Sequence, residues 1–220
     1  MPSGRSLLDV SRRSAAYKAN SGPHGAAAAM TELVPIKHLL AETPIIPAIR
    51  DPEHLDLALA CHGKVVYFLC GDPENIVDLL QRTLAGGKLP IVNMDLLSGF
   101  SRDASALSFL QKRGLKGIIS THHESFRHAH ALGMYVIQRT FLLDRGAMES
   151  VANQLRTTAA DALEVLPAIA APRLVDAVRT IRPEMPLVGG GLIQSMREIE
   201  DLLAQGLSSV SVSNTKLWIP

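Results

Sequence analysis

Two short segments near the C-terminus carry residue types suited to holding an anion. Gly189-Gly-Gly-Leu-Ile193 places three glycines in succession. Without Cβ atoms their backbone N–H groups can come close to a phosphate. Ser213-Asn-Thr-Lys216 reads as the start of a short helix, whose free N–H groups and dipole favour negative charge. A glycine pair on its own is more often a tight turn. Four more polar residues sit at the ends of apolar runs: Arg50, Asp95, Arg139 and Glu164. The two arginines supply charge for an anionic ligand, and the two carboxylates supply acceptors for hydroxyls. The plain structural alternative is a set of ion pairs filling the same space, Arg50 with Glu164 for example.

Other chemistries are weaker. Four of the eight histidines fall between His122 and His130. On a helix His123 and Arg127 share a face with His130 near it, but no two histidines have the i, i+4 spacing of a helical zinc site. A solvated helix is the simpler reading, and no metal is expected. His122 differs from the others because it directly follows an apolar run. Cys61 and Cys70 form neither a disulfide framework nor a CxxC motif, so buried, reduced thiols in a cytoplasmic protein are expected. Nothing near Cys70 in sequence marks an activating base, and no catalytic residue is assigned.

The elements that must position these residues repeat. Short apolar runs read as strands over Ile45 to Ile49, Val65 to Leu69, Pro90 to Met94, Gly117 to Ser120, Met134 to Gln138, Ala162 to Leu166, Pro186 to Val188 and Ser209 to Ser213. Helical periodicity fills the gaps, as in Asp72 to Leu84, Ala104 to Arg113, Arg145 to Ala160, Pro172 to Arg182 and Ser195 to Gln205. Gly86, Gly114, Gly133 and Gly206 follow helices and suit a left-handed stop. Thr121-His-His-Glu124 has the spacing of a capping box. Eight strands alternating with helices imply parallel pairing and a compact (β/α)8 barrel of the TIM type, with an open doubly wound sheet as the rival. In such a barrel functional residues gather at the C-terminal ends of the strands, and phosphate often binds after strands 7 and 8. Alternation puts Ser209, Ser211 and Ser213 on the inner face of the last strand, with Val210 and Val212 under the helices.

Composition bounds the rest. The chain has 220 residues, is 47% hydrophobic and 20% charged, and carries a formal net charge of +1. No apolar run is long enough for a transmembrane helix. Nine aromatic residues leave little for base-stacking platforms. The near-zero charge hides an asymmetry. Residues 1–29 hold four basic residues against one acidic, +3, which leaves 18 basic against 20 acidic, −2, for residues 30–220. The Ser-, Ala-, Gly- and Arg-rich residues 1–29 read as a disordered N-terminal extension, and the barrel is expected to span 30–220.

From about Pro44 to Trp218 the chain resembles the glycerol-3-phosphate-responsive antiterminators of glycerol uptake operons. The matching segments are Ile45-Ile-Pro-Ala-Ile-Arg50, Gly71-Asp72, Asp95-Leu-Leu-Ser-Gly99 with Asp103, Gly117-Ile-Ile-Ser-Thr121, Gln138-Arg-Thr-Phe-Leu-Leu-Asp144, Glu164-Val-Leu-Pro167, Gly189-Gly-Gly-Leu-Ile193 and Ser213-Asn-Thr-Lys-Leu-Trp218. The resemblance implies a barrel that binds glycerol 3-phosphate as effector, with no cofactor, and then binds the leader mRNA of a glycerol operon to prevent termination. It implies Gly190, Gly191, Ser213, Asn214 and Thr215 around the phosphate, and Arg50, Asp95, Arg139 and Glu164 around the glycerol end. His122 stands where the family often has lysine. If that lysine contacts the phosphate, the change predicts weaker or pH-sensitive binding.

RNA binding calls for a basic face. Lys112, Arg113, Lys116 and Arg127 form one local candidate, and Arg173, Arg179 and Arg182 another, although solvated helix faces explain such groups equally simply. A homodimer would join two weak patches. The competing function is an enzyme acting on a small phosphorylated substrate, with Asp95 or Glu164 as general base.

Overall fold

The computed structural model describes Val34–Trp218. The expected extension over residues 1–29 lies outside the described residues. Eight parallel strands pair in sequence order and close on themselves: β1 Ile45–Ile49, β2 Val65–Phe68, β3 Leu89–Asn93, β4 Gly117–Ser120, β5 Tyr135–Phe141, β6 Ala162–Leu166, β7 Leu187–Gly190 and β8 Ser209–Val212. The last strand returns to the first, with Ile45 opposite Val210 and Pro47 opposite Val212. The fold is therefore the (β/α)8 barrel, and the open sheet is excluded.

Both faces of each strand are covered, so the strands read as nearly continuous apolar runs. Their alternation still sorts two cores. Ile46, Ala48, Tyr67, Ile91, Ile137 and Val188 pack together inside the barrel. Ile49, Phe68, Val92, Ile118, Val136 and Val210 pack outward against the helices. Fully burying a large apolar side chain contributes roughly 1.5–3 kcal/mol, so the outer layer carries much of the stability.

Helices α2 Leu55–Ala60, α3 Ile76–Ala85, α4 Ala104–Gln111, α5 Glu124–Ala131, α6 Arg145–Leu155, α7 Val175–Ile181 and α8 Met196–Ala204 wrap the barrel. They are shorter than the periodicity suggested, because turns occupy their ends. Asp103, Asp144 and Ser195 start three of them by accepting the N–H three residues on, from Ala106, Ala147 and Glu198. The capping box at Thr121 does not form. Asp95 takes both Thr121 donors, N–H at 2.7 Å and O–H at 2.9 Å, and α5 begins only after His123, whose side chain makes no cap. Of the glycines expected to stop helices, Gly114, Gly133 and Gly206 have positive φ. After α3 that conformation falls on Gly87 (φ 73°), while Gly86 stays at φ −75°.

A short helix precedes the barrel and closes its N-terminal end. In α1, Ile36–Ala41, Ile36 and Leu40 join the inner core. The Tyr135 hydroxyl donates to the Val34 carbonyl, and the Ser209 hydroxyl donates to the Leu40 carbonyl. Ser209 thus serves the floor of the barrel, so only Ser211 and Ser213 of the inward-facing serines reach the mouth. The i, i+4 pair Ile36 and Leu40 was the available signal for this helix, but it lies ahead of the repeating unit.

Candidate functional site

The mouth of the barrel holds a cavity of about 120 Å³. Its polar lining comes from strand ends and the loops after them: Arg50 after β1, Arg139 on β5, Gly191 after β7, and Ser211 and Ser213 on and after β8. Apolar lining comes from Ala48, Leu69, Leu96, Leu166, Leu192 and Ile193. The small Ala48 leaves room at the centre.

Two arginines share this small cavity. Arg139 is held from below: its Nε donates to Glu164 Oε2 at 2.7 Å, with the two side chains 9% and 0% exposed. Glu164 Oε1 accepts from the Ser211 hydroxyl at 2.6 Å. The pairing follows from register, because Arg139 lies opposite Glu164 on neighbouring strands and both point inward. The ion-pair alternative is thus realised, but with Arg139 and not with Arg50. Arg50 is exposed and makes no salt bridge among the described residues. The lining therefore holds one balanced cation and one unbalanced cation, an electrostatic match for an anion. Arginine is also geometrically suited to phosphate oxygens.

The three glycines after the seventh strand have three different reasons to be glycine. A Cβ on Gly189 would sit 2.7 Å from Leu207 and 3.2 Å from the Ala168 Cβ, on the helix side. A Cβ on Gly190 would sit 2.7 Å from the Ser211 hydroxyl and 2.9 Å from Glu164 Oε1, inside the barrel. Only Gly191 lines the cavity, at φ 76°, where a Cβ would meet Leu166 at an ordinary 3.6 Å. Leu192 follows at φ 61° and is 79% exposed. A branched residue held left-handed costs roughly 1–2 kcal/mol, and such strain concentrates at binding loops.

The remaining expected site residues do not face the cavity. Asn214 Oδ1 accepts from the Lys216 N–H and caps the 3₁₀ turn Thr215–Leu217. That turn is shorter than the helix expected there. Asp95 is directed at β4: one carboxylate oxygen accepts from the Ser120 hydroxyl at 2.7 Å and the other from Thr121, with Arg102 3.8 Å away. It braces the loop after β3 and is not an open acceptor. His122 is exposed and outside the cavity lining. No cluster of three His, Cys, Asp or Glu residues suited to a metal occurs among the described residues.

The basic groups are partly spent on structure. Arg182 donates to the carbonyls of Thr158 and Ala160. The Arg113 guanidinium lies 3.5 Å over the Phe109 ring and donates to the Phe109 carbonyl. Lys112, Lys116, Arg127, Arg173 and Arg179 make no salt bridge among the described residues. Sequence reasoning missed the apolar half of the lining, because Leu69, Leu166 and Ile193 look like any core residue until the barrel brings them together. It also missed Tyr67, which points into the barrel and whose buried hydroxyl has no hydrogen-bond partner.

Cys70 follows β2, and its thiol is pushed up to about 11 by burial, with the charges of Asp51 and Asp72 adding to the effect. The thiolate is the reactive form. Cys70 is therefore expected to hold about a hundredfold less thiolate at pH 8 than an ordinary cysteine. In Cys61→Ser protein, alkylation by iodoacetamide should be slower than that of a free cysteine peptide by that order. Labelling as fast as the peptide would contradict it.

The glycerol-3-phosphate responsive antiterminator family model matches residues 45–218, nearly the whole described barrel. The chain is 28% identical over 186 residues to the uncharacterized protein YgcP of Escherichia coli K12, covering 84% of this chain and 96% of that one. The glycerol uptake operon antiterminator regulatory protein of Listeria monocytogenes is similar in structure, with a TM-score of 0.72 and 27% identity over 79% of this chain and 94% of that one. A glycerol uptake operon antiterminator-related protein of Thermotoga maritima has a TM-score of 0.71 and 29% identity, covering 80% and 98%. No helix among the described residues is long and apolar enough to cross a membrane. With a family match that runs from the first strand to the last described residue, the chain belongs to the glycerol-3-phosphate responsive antiterminators, a family of regulators.

Proposed function

We propose that this barrel binds glycerol 3-phosphate at its mouth and, so loaded, binds the leader mRNA of a glycerol operon and prevents termination. The observation that carries the reading is the meeting of Arg50 and Arg139 at one small cavity, above a carboxylate that balances only one of them. The phosphate lies against Arg50, Arg139, the Gly191 N–H and the Ser213 hydroxyl. Gly190 supports this wall by leaving room for Ser211 and Glu164. Asn214 and Thr215 hold the turn that carries Ser213. Asp95 positions the β3 and β4 ends, and Glu164 holds Arg139 at the mouth before the phosphate arrives. The effector needs no cofactor in this scheme. It acts by stabilising the RNA-competent form over the other.

A charge-assisted hydrogen bond contributes about 1.5–3 kcal/mol, so Arg50→Ala is expected to weaken glycerol 3-phosphate binding roughly 10- to 100-fold. Calorimetric titration of both proteins checks this, with glycerol as the uncharged control that should bind neither. Equal affinity of Arg50→Ala and the natural chain would remove Arg50 from the site.

A further inference from the structure

Tyr67 projects from β2 into the barrel, is fully buried, and has a hydroxyl without a partner. Among the described residues it is the one buried side-chain polar atom left in this condition. Buried hydroxyls are nearly always satisfied, so an orphan calls for a reason. Its surroundings supply one. Burial first, and then the nearby charge of Glu164, raise the Tyr67 phenol well above its ordinary value, with Arg139 opposing. The phenol therefore remains protonated and is available as a donor, within the field of the Arg139–Glu164 pair.

Glu164 has one donor on each oxygen, Ser211 on Oε1 and Arg139 on Oε2. Arg139 also lines the cavity. An arriving phosphate competes with Glu164 for that guanidinium. If Arg139 turned to the phosphate and nothing replaced it, a fully buried carboxylate would lose half its donors, which is strongly unfavourable. We propose that Tyr67 is the replacement donor: its hydroxyl bonds Glu164 when the anion draws Arg139 away. Tyr67 is then a positioning residue that makes Arg139 available to the ligand. The inference rests on the reading that a phosphate binds at the mouth, and it adds the means by which the buried pair can open.

The energetics predict two effects of opposite sign. Before the anion enters, the Tyr67 hydroxyl is a cost; afterwards it is a strong, charge-assisted bond. Tyr67→Phe should therefore raise the unfolding midpoint of the free protein, by roughly 2–4 °C, and weaken glycerol 3-phosphate binding about tenfold. A tyrosine that merely fills space would not couple these. In a Glu164→Gln background the effect of Tyr67→Phe on affinity should shrink to about twofold or less, as a double-mutant cycle requires. Titrating the natural chain with glycerol 3-phosphate should also red-shift its tyrosine absorbance, and Tyr67→Phe should abolish that shift.

Natural protein that fails to bind glycerol 3-phosphate overturns the binding reading, and this inference with it. Natural protein that binds, beside a Tyr67→Phe variant that binds equally well, overturns the inference alone: Arg139 then serves the phosphate without leaving Glu164. A lowered unfolding midpoint in Tyr67→Phe also overturns it, since the hydroxyl would then be in use before the ligand arrives.

Discussion

Glu164→Ala is expected to destabilise the barrel by about 3–5 kcal/mol, because it leaves a buried guanidinium without its counter-charge. Glu164 is 0% exposed and the Arg139 side chain 9% exposed, so water cannot take over. The Ser211 hydroxyl loses its acceptor in the same step. Thermal unfolding followed by circular dichroism should show a midpoint lower by about 10 °C for a barrel of this size. Replacing both partners at once, Arg139→Met with Glu164→Leu, should recover most of that loss, since apolar residues of similar volume usually do as well as a buried ion pair. The double variant should nonetheless fail to bind glycerol 3-phosphate. A single variant as stable as the natural chain would mean that the pair is more solvated than its burial indicates.

Gly190→Asp is expected to be worse, costing more than about 4 kcal/mol through overpacking and an added buried charge. Its Cβ would lie 2.7 Å from the Ser211 hydroxyl and 2.9 Å from Glu164 Oε1, so the new carboxylate meets an existing one. Like charges at that range cannot both remain ionised without large cost. From the sequence, where Gly190 looks like part of a phosphate loop, the same substitution is expected to block the anion and leave the barrel intact. The position of Gly190 on β7 reverses that expectation. Gly191→Ala is the control: φ is 76° there but nothing crowds the added methyl closer than 3.6 Å, so the loss should be near 1–2 kcal/mol. Denaturant unfolding of the two variants separates the cases. A well-folded Gly190→Asp barrel would show that the β7–β8 wall can spread to admit the side chain.

The barrel was legible because its repeat is written in the apolar runs, and all eight strands begin within one residue of where the pattern places them. The ends are less regular: β2, β3 and β8 each stop one residue early, at Phe68, Asn93 and Val212. Strand β5 departs most, running on to Phe141 where the apolar pattern stops at Gln138. The extra residues, Arg139, Thr140 and Phe141, pair with Glu164 to Leu166, and that pairing carries Arg139 to the mouth. Apolarity could not announce a strand end that exists to hold a charge. Strand order could have done so, since consecutive strands of a barrel are neighbours, and aligning β5 with β6 sets Arg139 beside Glu164. Asp95 shows the opposite limit. Its type and place suited a ligand acceptor, but its oxygens are taken by Ser120 and Thr121, and only coordinates reveal a hydrogen bond between side chains 25 and 26 residues apart. Tyr67 was silent for a related reason: an inward tyrosine is ordinary core until its hydroxyl proves to lack a partner.

The charge asymmetry bears on how RNA would be met. With −2 on residues 30–220, the barrel has no surplus of positive charge from which to build a broad basic face, and any contact must come from local groups such as Lys112, Lys116 and Arg127. If residues 1–29 accompany the barrel, their +3 adds non-specific affinity that falls steeply with salt.

The most direct test measures binding of the chain to the leader RNA of its own operon at low salt, with and without glycerol 3-phosphate, using Arg139→Met with Glu164→Leu as the folded control. The account predicts that the effector tightens RNA binding at least tenfold for the natural chain and leaves the control unchanged. Equal RNA binding with and without glycerol 3-phosphate, by protein shown to be folded, would contradict it.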